Sequence, residues 1–315
     1  MIRTFTRQQG LLKKLNSMLN RKKIFVIGDL IIDEYITGEA VGLSLESPTI
    51  KCTHTCTKKS PGGSGNVVMN LVALECDVGY MTVCSDSDVH CDLSQEVKLY
   101  SIQTEKQTSS KQRYYVERNH VQHKHLQMNY TDDDELGVEV EEQIIAQLTD
   151  ILPRYECVIL SDYRCGVLSK TITAQVIGVC KKLSIPCIAN TQLSDWGNKV
   201  SLQVSKFNGC DLIVLNEEEA KVLADSFSWF KCEIVETMGR RGSKFNNIHV
   251  PSIETAVVDT CGAGDSFTAM LATQDWNHDV GEVLYKCNLW AGLSTETKGA
   301  TPPSFDLFKE RYEER

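Results

Sequence analysis

A chain of 315 residues with a net charge of −9, 42% hydrophobic and 24% charged, has the composition of a soluble protein with one large domain, or one domain plus a small appendage. The negative balance argues against general affinity for nucleic acid or an anionic membrane surface, yet leaves room for an anionic small molecule held by a few local cations and backbone N–H groups. No apolar run approaches the ~20 residues that span a bilayer, and with no export signal at the start the 13 cysteines read as reduced thiols of a cytoplasmic protein.

Residues 1–23 predict a short basic, amphipathic helix. From Ile24 the pattern changes to IFVIGD, a β-branched run ending in Gly28 and Asp29, as expected of a parallel strand buried on both faces. Leu30 to Tyr35 continues into a polar stretch containing Gly38 and Gly42, and Thr49 to Thr57 alternates like a strand with one exposed face. Pro61-Gly62-Gly63-Ser64-Gly65-Asn66 is a Gly-rich loop opening a helical pattern. Strand-like Tyr80 to Cys84 and Lys111 to Val116 follow, then a helical pattern from Glu139 to Leu152. Beyond it, strands ending at Asp162, Asn190, Asn216 and Thr237 alternate with helical patterns near 170–183 and 217–224. This rhythm predicts an α/β fold, a doubly wound and mainly parallel sheet with helices on both faces. Ligands of such sheets bind at the carboxyl ends of the strands, where Asp29, Asp162, Asn190, Asn216 and Thr237 would line one edge. The alternating segments fall outside the rhythm and predict a small β-sheet lid, inserted at about 34–60 and 99–130 of a domain covering 24–315.

Two clusters invite a metal reading. Cys52, His54 and Cys56 share one face if the strand alternates strictly, and His120, His123 and His125 follow in a polar segment. Their spacing matches no standard zinc pattern, so lid residues facing solvent are the expectation. The acidic run Asp132 to Glu135 lacks the Gly and terminal Glu of a calcium loop and reads as a helix N-terminus.

The chemistry points elsewhere. In VDTCGAGDSF, Gly262, Ala263 and Gly264 allow successive N–H groups to point one way, and a helix starting near Gly264 adds its positive end. Asp265 at its head can accept a proton from a hydroxyl nucleophile beside an incoming phosphate. It can equally be an acid favoured by the helix dipole; on this motif alone both readings stand. The chain has no Walker A loop and no GxGxxG.

GDLIIDEY, PGGSGNVVMNLVAL and DTCGAGDSF together resemble the ribokinase-like (PfkB) carbohydrate kinases, from about Ile24 to Pro302. The resemblance implies that Asp33, Gly62, Gly63 and Asn66 hold the sugar and that Asp265 is the catalytic base. It further implies that Asn216 and Glu219 of the N-x-x-E motif organise phosphate and Mg2+, Glu219 acting through water. Thr237, Gly239 and Gly242 would lie at the nucleotide. ATP and Mg2+ are the implied cofactors, with room for a monovalent cation, and a homodimer paired through the lid is the implied assembly. A closer resemblance, carried by GDLIIDEYITG, LSLESPTIK, KQRYYVERN and LSDYRCGVLS, is to the kinase domain of the bifunctional heptose enzymes of lipopolysaccharide synthesis. These phosphorylate C1 of D-glycero-D-manno-heptose 7-phosphate towards ADP- or GDP-heptose. Arg113 on a lid strand suits a sugar that already bears a phosphate; Arg113 and Lys111 can also be solvated strand charges. Two positions depart from that pattern: Cys165 stands for a lysine, and Asn190-Thr191-Gln192 for D-P-K. The HxGH motif of the second enzyme is absent from this sequence. A kinase for another sugar or nucleoside, and a catalytically silent relative, are the alternatives.

Overall fold

The computed structural model describes residues 21–85, 93, 95–118, 121–192, 204–226, 230–276 and 278–315. The expected N-terminal helix lies outside them, as does His120, and Lys23 already belongs to the first strand, β1 (Lys23–Gly28). The main sheet runs in the order β13-β12-β11-β10-β9-β8-β1-β4-β5. Its parallel part comprises β4 (Asp77–Cys84), β5 (Lys98–Gln103), β8 (Cys157–Asp162), β9 (Cys187–Thr191), β10 (Leu212–Asn216) and β11 (Glu233–Thr237) around β1. The short β12 (Ser243–Phe245) and β13 (Ile248–Val250) extend one edge antiparallel.

Strand β1 explains why the sheet needs helices on both sides. Ile24 and Val26 enter one apolar cluster while Phe25 and Ile27 enter the other, all four fully buried. A strand whose alternate side chains must both leave water reads as a continuous apolar run. The first cluster is completed by helices α1 (Ser64–Ala73), α5 (Ala263–Thr273), α6 (Val280–Ser294) and α7 (Phe305–Glu313), the second by α2 (Val138–Ile151), α3 (Lys170–Leu183) and α4 (Glu217–Ser226).

The lid is a separate sheet, ordered β3-β2-β6-β7, formed by β2 (Leu30–Leu43), β3 (Ile50–Gly63), β6 (Ser109–Arg118) and β7 (Val121–Tyr130). Its boundaries differ from expectation at both ends. The long β2 begins immediately after β1, and Lys98–Gln103, expected in the lid, pairs in parallel with Gly79–Cys84 at the edge of the main sheet. The alternation of Cys52, His54 and Cys56 is interrupted as well: Thr37 faces Cys56 but Gly38 faces His54, leaving Thr55 as an extra residue. The bulge resets the pleat, and His54 Nε2 meets Thr57 Oγ1 at 2.9 Å. Among the described residues no group of three or more His, Cys, Asp or Glu could hold a metal, and every described cysteine is free. The acidic run also departs from expectation. It precedes a helix that starts only at Val138, and Asp132 instead pairs with Lys106 at 2.6 Å.

One buried carboxylate ties the central strands to the loop beyond β8. Asp29, 1% exposed, accepts backbone N–H bonds from Tyr163 (2.7 Å), Cys165 (3.1 Å) and Val167 (2.9 Å). Burial and the neighbouring Asp162 push its carboxyl up to about 6 despite these donors. Asp29→Ala would strand three buried N–H groups, each costing about 1–3 kcal/mol when unpaired. We expect the urea midpoint to fall by an amount equivalent to at least about 3 kcal/mol at unchanged m; a loss below about 1 kcal/mol would show that the loop is held by other contacts.

Candidate active site

The carboxyl ends of β8 and β9 and the first turns of α1 and α5 converge on Asp265. Gly262 precedes α5 with φ +78°, a left-handed conformation that glycine adopts without penalty. A Cβ at this position would lie 2.3 Å from Asn66 Nδ2, so the turn also requires the smallest residue. Asp265 enters the first helical turn and is 5% exposed. Its Oδ2 accepts from Asn66 Nδ2 at 2.8 Å, and its Oδ1 accepts from the Tyr163 hydroxyl and from Asn190 Nδ2 at 3.2 Å.

These donors come from three segments far apart in the chain, and their orientation is itself controlled. Trp290 Nε1 donates to Asn70 Oδ1 at 2.9 Å, and Asn70 Nδ2 donates to the backbone oxygen of Asn66 at 2.9 Å and to its Oδ1 at 3.2 Å. With Asn66 Oδ1 occupied as an acceptor, its NH2 group is left to face Asp265. Burial nevertheless outweighs the three donors. Desolvation, with a further contribution from Asp33, raises the Asp265 carboxyl to about 6, against the lowering effect of Tyr163, Asn66 and Lys111. At neutral pH the group is ionised, yet it is a stronger base than an exposed aspartate.

The lid presents Asp33 to the same space. Asp33 and Arg113, 5% and 6% exposed, form an ion pair at 2.6 Å. Gly62 lies directly beneath the carboxylate, for a Cβ there would sit 2.4 Å from Asp33 Oδ2. Arg113 Nε and Ser60 Oγ are buried without hydrogen-bond partners; orphaned polar atoms of this kind mark a place for a polar ligand. Gly63 turns the chain at φ +59° into α1, where Asn66 is reached.

A cleft of about 710 Å3 opens beside the head of α5 and is lined by Thr237, Gly239, Gly242, Thr255, Gly264 and Asn288 among others. Because Ala263 and Gly264 form its floor, the phosphate end of a nucleotide in the cleft would sit beside Asp265 and against the positive end of the helix. Asn216 is not part of this lining. It pairs in register with Thr237 one strand over and forms a reciprocal cap with Glu219. The Asn216 N–H donates to Glu219 Oε2, and the Glu219 N–H to Asn216 Oδ1, both at 2.9 Å. Mg2+ that binds mainly through ATP phosphates and water needs only one or two protein carboxylates. Glu219, 5% exposed at the start of α4, fits that demand.

Sequence reasoning grouped Asp33, Gly62, Asn66 and Asp265 as they are found here. It missed Tyr163 and Asn190 as partners of Asp265, although both stand at strand ends, and it missed the α6 wall of the cleft, whose residues carry no phosphate-binding signature. Cys165 packs under the Asp29 loop, and burial together with Asp29 pushes its thiol up to about 12. It is therefore uncharged and cannot replace a lysine. Lys111 does bring a cation nearby, with Nζ 5.3 Å from the centre of the Tyr163 ring.

Comparison with known proteins agrees with this geometry. Residues 21–306 match the model of the pfkB family carbohydrate kinases. The chain is 30% identical over 270 residues to the bifunctional protein HldE of Campylobacter fetus, covering 79% of this chain and 57% of that one. It is 27% identical over 321 residues to HldE of Aliarcobacter butzleri, covering 93% and 65%. It thus spans about three-fifths of the length of these curated relatives. Among solved structures, phosphofructokinase-2 of Escherichia coli in complex with substrates and products superposes with a TM-score of 0.72 at 17% identity, over 93% of this chain and 100% of that one. Arabidopsis thaliana ribokinase complexed with ribose and ATP gives 0.63 at 17%, over 91% and 98%. These two likenesses establish the ribokinase-like fold. With the family model spanning nearly the whole chain, the protein belongs to the pfkB family of carbohydrate kinases, phosphotransferases that act on a sugar hydroxyl.

Proposed function

We propose that the protein transfers the γ-phosphoryl group of ATP to a hydroxyl of a sugar phosphate. The sequence resemblance points to C1 of D-glycero-D-manno-heptose 7-phosphate, on the way to nucleotide-activated heptose. The observation that carries this reading is Asp265: a buried carboxylate next in sequence to the cleft-lining Gly264, held by three side-chain donors and raised to about 6.

In this reading Asp33 accepts a hydrogen bond from a sugar hydroxyl, and Arg113 fixes the carboxylate that does so. The reacting hydroxyl lies against Asp265, which takes its proton as the oxygen attacks the γ-phosphorus and the bond from that phosphorus to the bridging oxygen breaks, releasing ADP. The backbone at 262–265 and the positive end of α5 face the phosphoryl oxygens, over which a loose transition state spreads its charge. Mg2+, when bound with the nucleotide near Glu219, supplies charge neutralisation on the phosphates. A kinase for another sugar, sugar phosphate or nucleoside is the second reading. It is favoured by the neutral Cys165 thiol and by Gln192, which stand where the heptose kinases carry lysines.

Three tests follow. Turnover of a panel with ATP should favour heptose 7-phosphate over ribose, fructose phosphates and adenosine; equal or lower turnover of the heptose would shift the assignment to the second reading. Asp265→Asn should lower kcat by about 10²–10⁴-fold while ATP binding persists. In the wild type kcat should climb with pH through about 6 and level off above it, because the base must be deprotonated to act. Activity that survives in Asp265→Asn with an unchanged pH profile would remove Asp265 from the base role. Finally, exposed Leu43, Ile50, Val121, Leu126 and Met128 on the lid support pairing of two chains through this sheet; light scattering at micromolar concentration should give twice the chain mass, and a one-chain mass would exclude it.

A further inference from the structure

The phosphate of the acceptor sugar needs a cationic partner, and the charge of Arg113, expected to provide it, is already matched by Asp33 although its Nε is unpartnered. A different pair of cations is available. A pocket of about 310 Å3 lies at the seam between the lid and the turn near Gly299, lined by Tyr35, Lys58, Ser60, Gln122 and Lys298 among others. Its walls are fixed by the Tyr35 hydroxyl, which accepts the Ala300 N–H at 3.2 Å, and by the Gly299 N–H, which donates to Asp259 at 3.0 Å.

Ion pairing within the lid decides which of its lysines can serve the pocket. Asp33 stands opposite Ser60 and Tyr35 opposite Lys58, so these four share the face turned to the body of the protein. Lys59 also lines the pocket, but it forms the intervening pair with Glu34 and its charge is met there at 3.0 Å. Lys298 approaches from the body, its Nζ 3.5 Å from the centre of the Tyr115 ring and bonded to Gln122 Oε1. Partial desolvation lowers its affinity for a proton against the opposing pull of Asp259 and Glu117, and Lys58 adds to the lowering. Among the described residues no carboxylate lies within ion-pair distance of Lys58 or Lys298. The orphaned Ser60 Oγ supplies an uncommitted hydroxyl in the same lining.

We propose that this pocket receives the acceptor's own phosphate group, with Lys58 and Lys298 as its counter-charges and the Ser60 hydroxyl as a further donor. This rests on the reading of the acceptor as a sugar phosphate. Lys58 is two residues from Ser60 along β3, a step of about 7 Å, so the cations lie beyond the sugar-holding Asp33 and at the far end from the reacting hydroxyl. At less than half the volume of the nucleotide cleft, the pocket suits a phosphate and its neighbouring carbons. The site would then tell phosphorylated acceptors from free sugars by charge at a distance from the chemistry.

The test is calorimetric titration of the wild type and of Lys58→Gln/Lys298→Gln with inorganic phosphate, with heptose 7-phosphate and with unphosphorylated heptose. Both lysines are exposed, and an unchanged melting temperature confirms that the variant is folded. The dissociation constants for phosphate and for heptose 7-phosphate should rise by at least about tenfold, as for loss of a charged hydrogen bond. The preference for the phosphorylated over the free sugar should fall by the same factor. Phosphate binding that is unaltered in the variant, or an equal weakening of both sugars, overturns the pocket even if the enzyme is an active kinase. If the wild type phosphorylates no sugar phosphate, the functional reading fails separately, while phosphate binding that depends on Lys58 and Lys298 still upholds the pocket.

Discussion

An ionisable group withdrawn from water is stable only if its surroundings replace the lost hydration, and Asp265 imposes this requirement on the middle of the molecule. Its two oxygens collect donors from α1, from the loop after β8 and from the end of β9. Each donor needs its own support. Asn66 is oriented by Asn70 and Trp290. Tyr163 sits on a loop whose N–H groups are gathered by Asp29. Asn190 ends a strand locked in parallel register between two others. The Asp265 carboxylate and the packing of the parallel sheet are therefore parts of one arrangement. The donors do not cancel the desolvation; they leave a remainder that sets the carboxyl near 6, the range in which a general base is both ionised at neutral pH and still proton-seeking.

The second acid is managed differently. Asp33 is buried to the same degree, but its charge is met by a guanidinium rather than by neutral donors. Two carboxylates in one site thus differ because their neighbours differ, one raised by burial among neutral donors and the other paired with a guanidinium. The arrangement also explains the glycine at position 62. The ion pair needs space where the lid folds over α1, and a Cβ would occupy the position of the Asp33 oxygen.

Much of this was legible in the sequence, for physical reasons that can be named. IFVI is apolar at every position of a strand that feeds two cores, and the acids and amides that follow such strands are carried to one edge by the parallel topology. Motifs at 33, 62–66 and 262–265 are spread over more than two-thirds of the chain, yet each is local in form, a turn requiring glycine or a residue at a helix start, and so each could be read locally. The lid was less legible. β7 is exposed along its whole length, so no hydrophobic alternation betrays it, and the bulge at Thr55 breaks the period on which a shared face for Cys52, His54 and Cys56 depended. The Asn70–Trp290 contact spans 220 positions and leaves no trace in either segment.

The positions where family lysines are missing show what such a scaffold can vary. Cys165 occupies a place where the backbone is already claimed by Asp29, and its thiol stays protonated. A lysine there would extend a cation from a rigid loop beneath the site. In this chain the nearby cations stand on other elements: Lys111 and Arg113 on β6 and, in the pocket proposed above, Lys58 on β3 and Lys298 beside Gly299. Charge supplied by a lid acts only when the lid is in place, whereas charge built into the loop acts always. Under the proposed function, positive groups on the lid and its seam would link recognition of an anionic acceptor to lid position, while Asp265 and its donors stand on the parallel sheet and the helices packed against it.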